Sequence, residues 1–157
     1  MSSDTVTRRP ANEDDLPFLL KVYRSTRAEE MAQLPWSDDE KSAFLKSQLE
    51  SQHAYYAKVF PSADREVLIV DGEPAGRFYV DRGENEIHVI DIALLPPYRN
   101  RGIGSRLLIE VLAEGERTGV KVTIYVEKRN PAKRLYQRLG FEVIDQDDVY
   151  YLLAKDP

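Results

Sequence analysis

The chain has 157 residues, 42% of them hydrophobic and 31% charged, which excludes a disordered or fibrous protein and fits a single domain with an ordered core over about 5–154, large enough to bury roughly two thirds of its unfolded surface. Net charge is −5 and cysteine is absent, which excludes a disulfide scaffold, a thiolate nucleophile and a thiolate metal site, and argues against broad nucleic-acid binding. No run reaches the roughly 20 apolar residues of a membrane span, and the first nine residues carry no export signal, so a cytoplasmic, membrane-free protein is expected.

Residues 6–9 read as an edge strand. Asn12-Glu13-Asp14-Asp15 supplies capping oxygens for a helix whose apolar face holds Leu16, Leu19, Leu20 and Tyr23, with Pro17 in its first turn. After a Leu34-Pro35-Trp36 loop, Ser37-Asp38-Asp39-Glu40 has capping-box spacing and opens a second helix through Phe44, Leu45 and Leu49 toward Tyr55 and Tyr56. Three strands at 66–70, 75–80 and 86–94 are separated by Asp71-Gly72-Glu73-Pro74 and by the turn residues 81–85.

The last of these strands runs into Leu95-Pro96-Pro97-Tyr98-Arg99-Asn100-Arg101-Gly102-Ile103-Gly104, a basic glycine-bearing turn that opens a helix through Leu107, Leu108, Val111 and Leu112. The first amides of a helix lack partners, and together with the helix dipole they attract an anion; glycine lets backbone approach it closely. A phosphate cradle is expected there. Gly119 stops that helix, and residues 120–126 form a β-branched strand. Asn130-Pro131 then caps a short helix, with proline at its first position and Ala132, Leu135, Tyr136 and Leu139 on one face. Residues 141–144 and 149–153 close the chain as a hairpin. The order predicts an α/β (α+β) mixed, mostly antiparallel sheet with helices on both faces; exposed edge strands admit a homodimer.

Arg99-Asn100-Arg101-Gly102-Ile103-Gly104 resembles the R/Q-x-x-G-x-G/A signature of the GNAT superfamily of acyl-CoA-dependent N-acyltransferases. Asn130, Ala132, Leu135 and Tyr136, followed by Leu139-Gly140-Phe141, resemble that superfamily's second hallmark, and the element order over nearly the whole chain is similar. The resemblance implies a fold with a splayed strand pair, 86–94 and 120–126, that takes the pantetheine arm of acetyl-CoA as an added strand. It implies that the Arg101, Gly102, Ile103, Gly104 and Ser105 amides hold the pyrophosphate. Arg99, Asn100, Lys133 and Arg134 stand nearby, Asn130 steadies the arm, and a bulge near 91–94 turns the Leu94 amide, with Leu95 beside it, toward the thioester carbonyl.

In such a family the acid for the departing thiolate corresponds to Tyr136. His88 is the strongest base candidate, standing six residues before Leu94 on the same predicted face, where relatives often carry glutamate; Glu86 shares that face and can substitute. Asp91 is expected on the opposite face unless the bulge re-aims it. Asn100 and Arg101 stand where glycine or lysine is frequent. Trp36 and Tyr56 fall in the segments that form the acceptor wall, although Trp36 also reads as a staple against the following helix.

Each residue has a structural alternative: Tyr136 as a core aromatic, His88 as a bonded strand histidine, Asn130 as a helix cap, His53 as a packing residue. The expected function is transfer of an acetyl group from acetyl-CoA to a primary amine by direct attack, without a metal. The alternatives are a non-catalytic acyl-CoA sensor or partner-binding module, and a nucleotide-binding protein. Against the last, neither G-x-G-x-x-G after a first strand nor G-x-x-x-x-G-K-[ST] is present.

Overall fold

The computed structural model describes residues 4–157, so Met1, Ser2 and Ser3 of the expected domain lie outside the described residues. Seven strands, β1 (Val6–Pro10), β2 (Asp64–Val70), β3 (Glu73–Arg82), β4 (Glu86–Leu94), β5 (Lys121–Glu127), β6 (Glu142–Gln146) and β7 (Tyr150–Lys155), form one sheet in the order β1-β2-β3-β4-β5-β7-β6. Every neighbouring pair is antiparallel except β4–β5. The helices are α1 (Leu16–Thr26), α2 (Ala28–Ala32), α3 (Asp38–Val59), α4 (Ile103–Thr118) and α5 (Lys133–Arg138).

Local signals start the helices where the chain predicts them. The Ser37 side chain accepts from the Glu40 amide at 3.1 Å and the Glu40 carboxylate accepts from the Ser37 amide at 3.2 Å, so α3 opens on a complete capping box. Asn12 and Asp15 form a second capping box around a short 3-10 turn ahead of α1. The Arg9 guanidinium grips Asp15 at 2.6 Å and, as the largest influence, holds that carboxyl down at about 2. Gly119, at φ +72°, ends α4.

Three details depart from the sequence reading. The connection after α1 contains a five-residue helix, α2, that buries Met31. Helix α5 begins at Lys133 and not at Pro131, because the Asn130 carboxamide accepts from the Ala132 amide at 2.9 Å and holds a separate turn ahead of it. The last strand starts at Tyr150, one residue later than expected, since Asp147 accepts the amides of Val149 and Tyr150 at 2.8 and 2.7 Å and draws Val149 into the turn.

The sheet has helices on both faces. Phe78, Val80, Ile87, Val89, Val122, Ile124 and Val126 join Ile103, Leu107, Leu108 and Val111 in a core on the α4 side. Leu19, Tyr23, Met31, Leu45, Leu49 and Val67 form a smaller core with α1 to α3 on the other. Strands β4 and β5 pair only from Glu86 opposite Lys121 to Val89 opposite Ile124; beyond that they separate, and the expected splay is present.

A bulge accompanies the splay, one residue earlier than the expected 91–94. Val80 pairs with Val89 but Tyr79 pairs with Asp91, leaving Ile90 as the extra residue on β4. A strand's faces alternate with period two, so one inserted residue exchanges them. Leu94 and Ile92 therefore pack on the α4-side core, while His88 stacks on Phe60 at the end of α3. The expectation that His88 and Leu94 share a face is corrected, and Asp91 is swung onto the His88 face.

Candidate active site

The separating ends of β4 and β5 open a cleft of about 1130 Å³, bounded by α1, α2, the end of α3 and the Asp147 to Tyr150 turn. Its β4 wall is a free peptide edge. The Leu95 amide donates to the Ala75 carbonyl at 2.8 Å, so Leu95 spends its donor on β3, and the peptide groups of Leu94 and Ile92 face away from β3 toward the gap. Leu95 therefore offers no amide to a ligand, contrary to the sequence expectation. The Leu94 carbonyl accepts from Arg99 Nε at 2.9 Å.

At the same end of the sheet, β4 passes through a 3-10 turn (Pro96–Tyr98) into the basic segment. Asn100 adopts φ +63° and Gly102 φ +76°, two left-handed residues that bend the chain into α4. No side chain caps α4. The Arg106 amide donates to the Gly102 carbonyl at 3.0 Å, so the amides of Gly102, Ile103, Gly104 and Ser105 ahead of it are the open ones.

Gly104 needs no glycine for the fold. A Cβ there would meet only Ile92 Cδ1, at 3.9 Å, although glycine inside a helix costs about 1 kcal/mol against alanine. Space kept bare beside open amides suits an anion that approaches the backbone, and the donor set fits a pyrophosphate. The basic side chains around this turn are held by protein partners. Arg99 Nη2 reaches Ser25 Oγ at 3.2 Å, and Arg101 lies 3.6 Å from Asp4 and 5.4 Å above the Tyr98 ring. Lys133 and Arg134 do not line the cleft: the Lys133 ammonium sits 4.0 Å from the Tyr151 ring centre, and Arg134 is exposed. Arg129 and Asn130 do line it.

Tyr136 reaches the cleft from α5 while its ring meets Phe141 edge-on at 6.0 Å. Burial, assisted by the Asp91 charge, pushes its phenol up to about 12, which keeps the proton on oxygen at neutral pH. His88 also lines the cleft, stacked on Phe60 at 5.4 Å and edge-on to Tyr125 at 5.4 Å. Burial lowers its imidazole below the ordinary histidine range, opposed by the charges of Glu86 and Asp81. Glu86 does not face the cleft. Its carboxylate accepts from Thr123 Oγ1 at 2.6 Å, and His88 Nδ1 lies 2.8 Å from the same hydroxyl oxygen.

Of the two residues expected on an acceptor wall, Tyr56 lines the cleft and Trp36 does not. Trp36 stays just ahead of α3, 36% exposed, with its ring edge-on to Phe44 of that helix at 5.1 Å. Tyr56 meets Tyr79 edge-on at 6.1 Å, and burial raises its phenol well above the ordinary tyrosine value. His53 packs against Tyr79, its Nε2 3.1 Å from the Tyr79 hydroxyl.

The sequence reading did not anticipate the buried ion pair on the cleft floor. Arg77 on β3, 3% exposed, binds the Asp91 carboxylate and donates to Gln52 at 3.1 Å. Its guanidinium lies between the rings of Tyr23 and Tyr79, 5.7 and 5.3 Å from their centres. Opposite charges midway along two consecutive apolar strands were the available signal. Arg27 adds a second cation at the rim, bridging Glu30 at 3.0 Å and Glu127 at 3.7 Å.

Comparison with known proteins agrees with this geometry. The chain is 34% identical over 77 residues to N-alpha-acetyltransferase 50 of Danio rerio, a match covering 46% of each chain. It is 35% identical over 69 residues to the [Ribosomal protein bS18]-alanine N-acetyltransferase of Haemophilus influenzae, covering 43% of this chain and 47% of the relative. The matches thus span a little under half the length of these curated relatives. The fold superposes on the PaiA N-acetyltransferase of Thermoplasma acidophilum in complex with coenzyme A, with TM-score 0.72 at 19% identity over 98% of this chain and 99% of that one. It also superposes on Arabidopsis thaliana Naa50 in complex with a bisubstrate analogue, with TM-score 0.63 at 17% identity over 97% and 99%. The acetyltransferase (GNAT) family pattern matches residues 23–141, and the chain belongs to that family.

Proposed function

We propose that this protein transfers the acetyl group of acetyl-CoA to a primary amine by direct attack within a ternary complex. The observation that carries the reading is the coincidence, at one end of the sheet, of the β4–β5 gap with the uncapped start of α4. A long ligand with a diphosphate at one end and an extended amide-bearing arm matches both features at once. Acetyl-CoA supplies the activated acetyl group.

The chain's own residues divide the work. The amides of Arg101 to Ser105 hold the diphosphate, with Asn100, Arg99 and Arg129 near its negative charge. The free edge of Ile92 and Leu94 pairs with the arm, and the Leu94 amide faces the carbonyl oxygen on which negative charge develops. Asn130 borders the opposite wall. His88, neutral because burial lowers its imidazole, takes the proton from the attacking ammonium. Tyr136, whose phenol stays protonated, returns one to the leaving sulfur. With no cysteine in the chain, a thiol-borne acyl-enzyme is excluded.

The acceptor side is aromatic, with Tyr55, Tyr56 and Tyr150, and carries Glu29, Glu30, Glu127 and Asp147, carboxylates that outnumber the Arg27 cation bridging two of them. Such a rim favours an amine that arrives as a cation, whether a peptide amine or a small molecule.

Thermal unfolding with and without acetyl-CoA tests the cradle. Ligand at 100 times its dissociation constant adds about 2.7 kcal/mol of stability, and the double variant Arg99→Ala/Gly102→Asp loses that shift while remaining folded. An unchanged shift refutes the cradle. A panel of peptide and small-molecule amines followed by thiol release then tests the chemistry: Tyr136→Phe lowers kcat about 10²-fold or more with coenzyme binding retained. Binding without thiol release across the panel establishes the non-catalytic module instead.

A further inference from the structure

Thr123 is the one polar side chain buried in the middle of β5, 2% exposed among Val122, Ile124 and Val126. It stands directly opposite His88 in the last stretch where β4 and β5 still pair. A buried hydroxyl is tolerated only when its hydrogen-bonding capacity is used, and both of its bonds go to charged or titratable partners. We propose that Thr123 is a positioning residue that fixes His88 in its Nδ1–H form, leaving Nε2 as the proton acceptor at the cleft. This inference rests on the reading of His88 as the base.

The argument is one of counting hydrogens. A hydroxyl has one, and Thr123 gives it to Glu86 Oε2 at 2.6 Å, a carboxylate that can only accept. The contact between Thr123 Oγ1 and His88 Nδ1 at 2.8 Å therefore needs its hydrogen on nitrogen. A neutral imidazole with Nδ1 protonated carries its lone pair on Nε2, which takes no protein partner among the described residues. A histidine side chain in water favours the opposite form, with the hydrogen on Nε2.

The chain of bonds survives the reaction unbroken. When Nε2 takes a proton from the acceptor ammonium, Nδ1–H still donates to Thr123 and Thr123 still donates to Glu86. The new positive charge on the ring is compensated by a carboxylate one hydroxyl away, and Nε2 later releases the proton to solvent. The groups around the ring suit this. Glu86 lies on its own strand, Asp81 opposite it on β3, Phe60 stacks from the end of α3, and Tyr125 meets it from β5. The charges that act on the ring are the carboxylates of Glu86 and Asp81, and Lys121 stands opposite Glu86 on the same face of β5.

The chain has only two histidines, so ¹⁵N-histidine NMR of the full-length protein reads the tautomer directly, independently of activity. The expected spectrum at pH 8 shows His88 as Nδ1–H in wild type and in Thr123→Ser, and as Nε2–H in Thr123→Val. Glu86→Met supplies a second route should the valine variant not fold. With the carboxylate gone, Thr123 is free to donate to Nδ1, and the same reversal to Nε2–H is expected. In turnover, Thr123→Val lowers kcat/KM about tenfold or more and moves the acidic limb of the pH–rate profile to lower pH, whereas Thr123→Ser restores both. An Nε2–H signal in wild type, or a wild-type rate and profile in Thr123→Val beside an inactive His88→Gln, overturns the positioning role while leaving His88 as base. Full activity with an unchanged acidic limb in His88→Gln overturns the base itself.

Discussion

The two faces of the same three central strands differ sharply in chemistry. Toward α4, β3 to β5 present Phe78, Val80, Ile87, Val89, Val122 and Ile124, all within the larger core. Toward α1 to α3 the alternating residues are Arg77, Tyr79, Glu86, His88, Asp91 and Thr123, each with a named partner or a place in the cleft. The first face stabilises the fold by removing apolar surface from water, a non-directional effect of about 25 cal/mol per Å². The second holds polar groups out of water, where each donor and acceptor must be matched. The titratable groups of these three strands are thus kept on the face opposite their apolar core, which Tyr136 joins from α5.

That separation can be broken from either side. Phe78→Ala, on the α4 face, should cost about 3–5 kcal/mol in urea unfolding, because a fully buried ring leaves a cavity. On the other face, Asp91→Ala should cost about 3 kcal/mol by leaving Arg77 buried without its counter-charge. Arg77→Met should cost less, since Asp91 keeps 22% of its side chain in solvent. Equal losses for the two variants would show that the pair does not behave as a buried cation with a solvated partner.

A pH series sharpens the contrast further. Burial, followed by the charges of Arg77 and Arg65, lowers the His53 imidazole to about 4, and burial lowers His88 as well. Both rings take protons near pH ~6.5 when unfolded. Between about pH 6.5 and about pH 4 the unfolded chain therefore binds protons that the native state refuses, and stability falls as the pH is lowered through this window. His53→Gln should flatten the dependence of the urea midpoint on pH; Phe78→Ala should lower the midpoint without changing that slope. The smallest effect is expected at Gly104→Ala. It should raise stability by up to about 1 kcal/mol while weakening acetyl-CoA binding in calorimetry, and an unaltered affinity would show that the bare backbone there serves no ligand.

Much of this fold is legible along the chain because its signals are local. The capping box at Ser37, the left-handed stop at Gly119 and the glycine turn before α4 each depend on a few consecutive residues. The same holds for Tyr136, which one helical turn places on the buried face of its segment. Helix α2 is not legible in the sequence because five residues carry too little periodicity to distinguish from a loop. The position of Trp36 in sequence suggests an acceptor wall, but its ring lies edge-on to Phe44 of the following helix, outside the cleft.

What the amino-acid order by itself determined was the succession of the longer elements, the family they belong to, and the glycine turn that opens α4, all set by spacing and backbone preference within short segments. Only tertiary structure decided which way the chemistry faces. The extra residue at Ile90 is defined by pairing with β3, not by β4 alone, and it brings Asp91 round to Arg77 while sending Leu94 to the other core. Likewise Thr123 meets His88 and Glu86 only because a parallel pairing sets β5 beside β4 across a helix of sixteen residues. Strand parity and cross-strand contact belong to two segments at once, so no reading of either segment alone contains them.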